Sequence, residues 1–115
     1  MKIIQLNADP KTLYQAIEAT VLIKNRQVRV RFELRFLEML NKWFLSMFDS
    51  QTNKSYFRYV PVVFCKTSVN NLVAPFHYKG LGIVVCASEL DNPTTENPEK
   101  DNMNEFVLVW GDEGA

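Results

Sequence analysis

Polar and apolar residues alternate without a break over residues 27–36, Gln-Val-Arg-Val-Arg-Phe-Glu-Leu-Arg-Phe. Val28, Val30, Phe32, Leu34 and Phe36 fall on one side of the alternation, and Gln27, Arg29, Arg31, Glu33 and Arg35 on the other. Successive side chains of an extended chain point to opposite faces, so the pattern predicts a strand with one dry and one wet face. The β-branched and aromatic content of the dry face agrees. Upstream, Lys2 to Leu6 reads as a short strand stopped by the turn-forming cluster Asn7-Ala8-Asp9-Pro10. Leu13 to Ile23 gives mixed signals. Its Ala, Glu and Gln favour a short helix within residues 10–20, whereas Thr20-Val21-Leu22-Ile23 favours a strand. Lys24-Asn25 offers a tight turn, because Asn accepts positive φ, and would fold residues 17–23 onto the arginine strand as a hairpin.

Residues 36–48 admit two readings. Phe36, Leu37, Leu40, Trp43, Phe44, Met47 and Phe48 recur at helical spacing, with no Pro or Gly between them. In the other reading, residues 37–41 form a hairpin loop and Lys42 to Asp49 the returning strand. Asp49 to Lys54 is a polar turn, where the Asp49 carboxylate is expected to bind turn amides. Tyr56 to Cys65 is strand-like, and Pro61, which lacks a backbone donor, confines it to a sheet edge or a bulge. Leu81 to Ala87 is nearly all apolar and is expected to be buried on both faces or to lie at an interface. Residues 89–104 read as a long exposed loop, and Glu105 to Trp110 as a closing strand. The sum is a mainly β, single-domain chain over residues 1–115, with six or seven short antiparallel strands in a small barrel or sandwich.

Composition narrows the function classes. At 115 residues, 47% hydrophobic and 12% aromatic, the chain belongs with one-domain globular proteins. Its formal net charge is zero, which gives no support to general polyanion binding. The charges are unevenly placed, however: residues 1–60 hold ten Lys or Arg against five acids, and residues 61–115 hold three against eight. No segment approaches the ~20 apolar residues of a membrane span, and the apolar start is shorter than the ~7–15 residues of a signal-peptide core. A protein made and kept in the cytoplasm is expected. Cys65 and Cys86 both lie in apolar runs and are expected as buried, reduced thiols. With His77 as the single histidine, they make no zinc set.

No catalytic, cofactor-binding or metal motif emerges. His77 has no nucleophile motif around it, and pairing it with Cys65 or Cys86 has no local signature. Asp91, Glu96, Glu99 and Asp101 share one loop without the spacing of a calcium loop. Gly80 and Gly82 do not make a phosphate cradle. The residues that invite a partner are Arg29, Arg31 and Arg35. With Tyr56, Phe57, Arg58 and Tyr59 downstream, they suggest a single-stranded nucleic-acid binder on an OB-like barrel as an alternative function. The competing reading is that the arginines solubilise one side of a sheet while the aromatics fill the core.

The chain runs from an Ile-Ile-Gln-Leu strand through a strand pair ending in alternating Arg and aliphatic residues to Lys42-Trp43-Phe44-Leu45-Ser46-Met47-Phe48-Asp49. It continues with Gly80-Leu81-Gly82-Ile83-Val84-Val85, a loop with Pro93 or Pro98, and Phe106-Val107-Leu108-Val109-Trp110. This order of elements is similar to that of the phage baseplate plug family. The resemblance spans roughly residues 2–110. It departs where the family commonly has a glycine before the arginine strand, here Lys24-Asn25, and where the family loop is shorter and more polar than Phe36 to Asn41. What the resemblance implies is a non-enzymatic structural subunit of a contractile-tail baseplate, in the virion and assembled in host cytoplasm. Its partners would be hub, tail-tube and neighbouring baseplate proteins, with no membrane and no small-molecule substrate. Copies would form a ring of three or six. Arg29, Arg31, Arg35 and Trp110 would serve as interface anchors, and residues 36–49 would be loop and strand.

Overall fold

The computed structural model describes residues 3–7, 9, 12–64, 70–88, 97–101 and 103–112. Seven strands occupy Ile3–Gln5 (β1), Tyr14–Ile23 (β2), Arg26–Leu37 (β3), Lys42–Asp49 (β4), Ser55–Pro61 (β5), Ile83–Ser88 (β6) and Phe106–Gly111 (β7). Two 3-10 turns, Ala74–Lys79 and Met103–Glu105, complete the described secondary structure. The chain is therefore mainly β. The strands form two antiparallel sheets, β2-β3-β4-β5 and β1-β7-β6, and do not close into a barrel.

The helical readings fail at both places, and packing explains why. Residues 14–20 belong to β2, whose residues pair one for one along β3 from Tyr14↔Arg35 to Ile23↔Arg26. The hairpin is three residues longer than its sequence signal. It turns on Lys24 and Asn25, with φ of 51° and 63°, the two left-handed residues that match the twist of paired strands. In the stretch 36–48, residues 38–41 are a four-residue loop closed by Leu40 N–H to Leu37 O (3.1 Å) and Asn41 N–H to Glu38 O (3.2 Å). Asn41 takes φ 51°, and the loop holds Met39 and Leu40 in solvent. The helical spacing of its apolar residues is a coincidence of two faces. Trp43, Leu45 and Met47 point into the core, while Phe44 and Phe48 lie on the other side of β4.

The dry faces of the two sheets share one core. Val30, Phe32, Leu34 and Phe36 of β3 and Trp43, Leu45 and Met47 of β4 meet Val84, Cys86, Leu108 and Trp110 of the small sheet. Phe32 and Trp110 close the gap, ring centroids 5.3 Å apart and tilted by 51°. Buried polar groups tie the layers together. The Trp110 indole N–H donates to Asp112 Oδ1 (2.7 Å), which also accepts the Leu22 backbone N–H of β2 (3.2 Å). Asn7, expected only to stop β1, is buried and extends its pairing instead. Its Nδ2 donates to Phe106 O (2.7 Å) and its Oδ1 accepts from Leu108 N–H (3.1 Å). Gly82 lies so close to the Gly111 carbonyl and the Trp110 ring that a Cβ would collide with both.

Pro61 ends β5, which lies at the sheet edge, as its missing backbone donor allows; the strand's bulge lies upstream of it, between Phe57 and Val60. Between the pairs Leu45↔Val60 and Met47↔Phe57, β5 carries one residue more than β4. Tyr59 absorbs the excess at φ 54°, and its N–H donates to Ser46 Oγ (3.0 Å). Among the described residues no helix is long and apolar enough to cross a membrane.

Phe32→Ala should destabilise the fold by about 3–5 kcal/mol, because the rigid Trp110 ring beside it cannot fill the void. Arg29→Ala, on the exposed face, should stay within about 0.5 kcal/mol of the parent. Urea titrations of the two variants check both values.

Candidate functional site: the outer face of the large sheet

The register fixes what stands beside what on the wet side of β3. Tyr14, Arg35, Phe44 and Pro61 form one cross-strand row; Ala16, Glu33 and Ser46 form the next; Glu18, Arg31 and Phe48 form a third. Directly opposed side chains on one face lie within contact distance. Arg31 and Arg35 therefore each meet an aromatic neighbour. The Arg31 guanidinium lies 4.9 Å from the Phe48 ring centroid, and Arg58 lies 5.4 Å from the same ring. Arg35 lies 4.9 Å from the Tyr14 ring, and Phe44 and Tyr59 meet edge to face at 6.4 Å. Cations over ring faces are held electrostatically as well as by contact.

This lattice lines a cleft of about 230 Å³ that includes Arg31, Arg35, Arg58, Phe44, Phe48 and Tyr59. Arg31 is the most constrained of its cations, with 27% of its side chain exposed. Its Nε donates to Glu33 Oε2 (2.9 Å) and its Nη2 to Asn53 Oδ1 (2.7 Å). Glu33 also accepts from the Tyr14 hydroxyl (3.0 Å). Burial first, and then that hydrogen bond, raises the Tyr14 pKa above its ordinary value, so the hydroxyl stays a donor.

The sequence-predicted anchors are not all brought together. Arg31 and Arg35 share the cleft, but Arg29 does not line it. Arg29 pairs with Glu18 (3.7 Å) and borders a separate cleft of about 410 Å³ at the β2–β3 hairpin, with Lys24, Arg26, Asp49 and Tyr56. Arg29 and Arg35 are exposed, whereas Arg31 is half-buried by its partners rather than free in solvent. Trp110 is 0% exposed beneath Phe32, so in the folded chain it is a core residue and offers no surface anchor. Its indole N–H already has an acceptor inside. Alternation placed the arginines, and Arg58 and Tyr59 were already candidates downstream, but nothing in the sequence indicated that Tyr14, Phe44 and Phe48 would join them. Only the register of β2 and β4 on β3 and the bulge in β5 create that grouping.

The outer face of the small sheet is chemically different. Its rows are Ile3–Gly111–Ile83, Gln5–Val109–Val85 and Val107–Ala87, with no charged residue. Ile3 is 67% and Ile83 41% exposed. The expectation for residues 81–87 thus resolves into one buried face, Val84 and Cys86, and one aliphatic face partly open to solvent. Cys86 is a free, buried thiol, pushed up to about 12 by desolvation, and carries essentially no thiolate at neutral pH. Cys65 lies outside the described residues, as does most of the 89–104 loop, and His77 is placed only as part of the Ala74–Lys79 turn. Among the described residues no three His, Cys, Asp or Glu side chains converge as a metal cluster.

Asp49 behaves as its position suggested: Oδ1 accepts the N–H groups of Gln51 (2.8 Å) and Thr52 (2.9 Å). These backbone bonds, Thr52 first, lower its pKa below the ordinary value. A lowered folded-state pKa stabilises above the unfolded value, ~3.9 for Asp, and that contribution disappears as pH falls through the folded value. The stability gap between the parent and Asp49→Ala should accordingly shrink when urea midpoints at about pH 2 are compared with those at pH 7. Native Cys86, tested in a Cys65→Ser background, should resist iodoacetamide at pH 8 and react only in denaturant.

No protein-family model matches this sequence, and no curated protein matches it either.

Proposed function

We propose that this chain is a non-enzymatic structural component of a contractile phage tail baseplate, packing around the central hub and tail tube and contacting neighbouring baseplate proteins. The observation that carries the reading is the segment 36–49. The family resemblance requires a loop and then a tryptophan-bearing strand there, against an equally good helical pattern, and the chain has the loop at 38–41 and β4 at Lys42–Asp49.

The two outer faces support a role between unlike neighbours. One is cationic and aromatic, the other uncharged and aliphatic, and they back onto the same core. Arg and aromatic side chains are the residues in which interface energy concentrates. Ile3 and Ile83 stand exposed on either side of Gly111 in one row of the aliphatic face, and exposed apolar groups of that kind mark interaction sites where they are contiguous. The large sheet with its turns, residues 14–61, holds eight Lys or Arg against four acids. The excess of acids lies later in the chain, a polarity suited to a heterologous contact in which one patch meets a different patch on the next copy. Copies would then form a ring of three or six, in a virion assembled in host cytoplasm.

Mass spectrometry of purified tails tests this reading. The chain should copurify with hub and tail-tube proteins, at a copy number that is a multiple of three. Its absence from intact particles would overturn the assignment, and a copy number outside that series would remove the ring.

A further inference from the structure

The cleft on the large sheet has an unbalanced charge. Three guanidiniums line it, Arg31, Arg35 and Arg58, against one carboxylate, Glu33. That carboxylate is already engaged by Arg31 and Tyr14. Arg35 and Arg58 are exposed, and among the described residues neither has a hydrogen-bond or ion-pair partner; each is held over a ring, Tyr14 and Phe48 respectively. Ring contact orients a guanidinium and leaves its five N–H donors available. The result is two positioned forks, each shaped for a planar, bidentate acceptor.

We propose that this cleft takes side-chain carboxylates of an acidic, extended protein segment, with Arg35 and Arg58 as the contacting residues. Two features select an acidic protein over a nucleic acid. Base binding on a sheet needs open ring faces on which to stack. Here cations sit over Phe48 (Arg31 and Arg58) and Tyr14 (Arg35), and Phe44 is buried, which leaves Tyr59, 52% exposed, as the one open ring among the cleft's described residues, too few for successive bases to stack. The volume also matters. At about 230 Å³ the cleft falls below the ~300–1,000 Å³ typical of small-molecule pockets, and suits a side chain better than a nucleotide. The inference rests on the reading of this face as a protein-docking surface and adds the chemistry of what docks.

Fluorescence anisotropy at low salt with a labelled Gly-Glu-Glu-Phe-Glu-Glu-Gly peptide tests the proposal. The controls are the corresponding Gln peptide and an oligothymidylate of equal net charge. The Glu peptide should bind and the Gln peptide should not. Arg35→Gln combined with Arg58→Gln should weaken binding by about tenfold or more, the loss expected for charge-assisted hydrogen bonds. The corresponding pair of Lys variants keeps the charge without the fork and should recover only part of it. Both side chains are exposed, so an unchanged urea midpoint confirms that the variants remain folded. If a midpoint moves, the Lys pair replaces the Gln pair in the comparison. Equal binding of Glu and Gln peptides, or binding indifferent to both pairs of variants, would overturn the proposal. So would an oligonucleotide that binds more tightly than the peptide, which would make the cleft a polyanion site. Peptide binding by a chain absent from tail particles would remove only the tail assignment. Failure to bind peptide by a chain found in particles would remove only the carboxylate site.

Discussion

Neither sheet of this protein can stand without the other, and the contact between Phe32 and Trp110 is where they depend on each other most directly. A four-stranded meander buries its dry face only if something covers it. The cover is a three-stranded sheet too small to hold a core of its own. Phe32 lies in the middle of β3 and Trp110 on the central strand of the small sheet, so their rings meet near the centre of both dry faces. The Asp112 carboxylate, bonded to Trp110 and to the Leu22 amide, adds a directional link from the small sheet to the outer strand of the large one. Non-directional burial supplies the bulk of the driving force, and this hydrogen-bonded link sets the alignment.

The same strand produces the cationic outer face. Every residue of β3 that turns away from Trp110 turns toward solvent, so the spacing that buries Val30, Phe32 and Leu34 also sets Arg29, Arg31, Glu33 and Arg35 in line. What that line becomes is decided by its neighbours. Phe44 and Phe48 reach the outer face because β4 pairs in a register that sends Trp43, Leu45 and Met47 inward. The arginines then cover rings that would otherwise be exposed, and the rings position the arginines.

Strand β3, residues 17–23 of its hairpin partner, the Asp49 turn and the edge position of Pro61 were legible in the sequence, because each rests on a local cause: alternation, turn chemistry or a missing donor. Residues 36–48 were ambiguous for a physical reason. An amphipathic helix and a strand with apolar side chains on both faces can carry the same letters, and only tertiary pairing separates them. Trp110 was misplaced as an anchor because a tryptophan near a chain end satisfies its N–H either at an interface or internally. Here the acceptor, Asp112, is only two residues away. The sequence set Arg58 and Tyr59 beside the arginines as candidates, but not which of them share a cleft, since that depends on the register of β4 and on where β5 bulges.

The small sheet is built from residues far apart in the chain: Ile3 pairs with Gly111, and Gln5 with Val109. The meander, by contrast, is a run of sequence neighbours. On a ribosome, β2 to β5 can pair as they emerge, whereas β1 must wait for β7, about a hundred residues further along the chain. Until then the apolar side of the meander, Phe32 included, has nothing to cover it. Loop closure over so long a separation is entropically costly and slows folding. The interval between making β5 and making β7 is therefore when this chain is most exposed to aggregation, and when a chaperone would have most to gain by holding it.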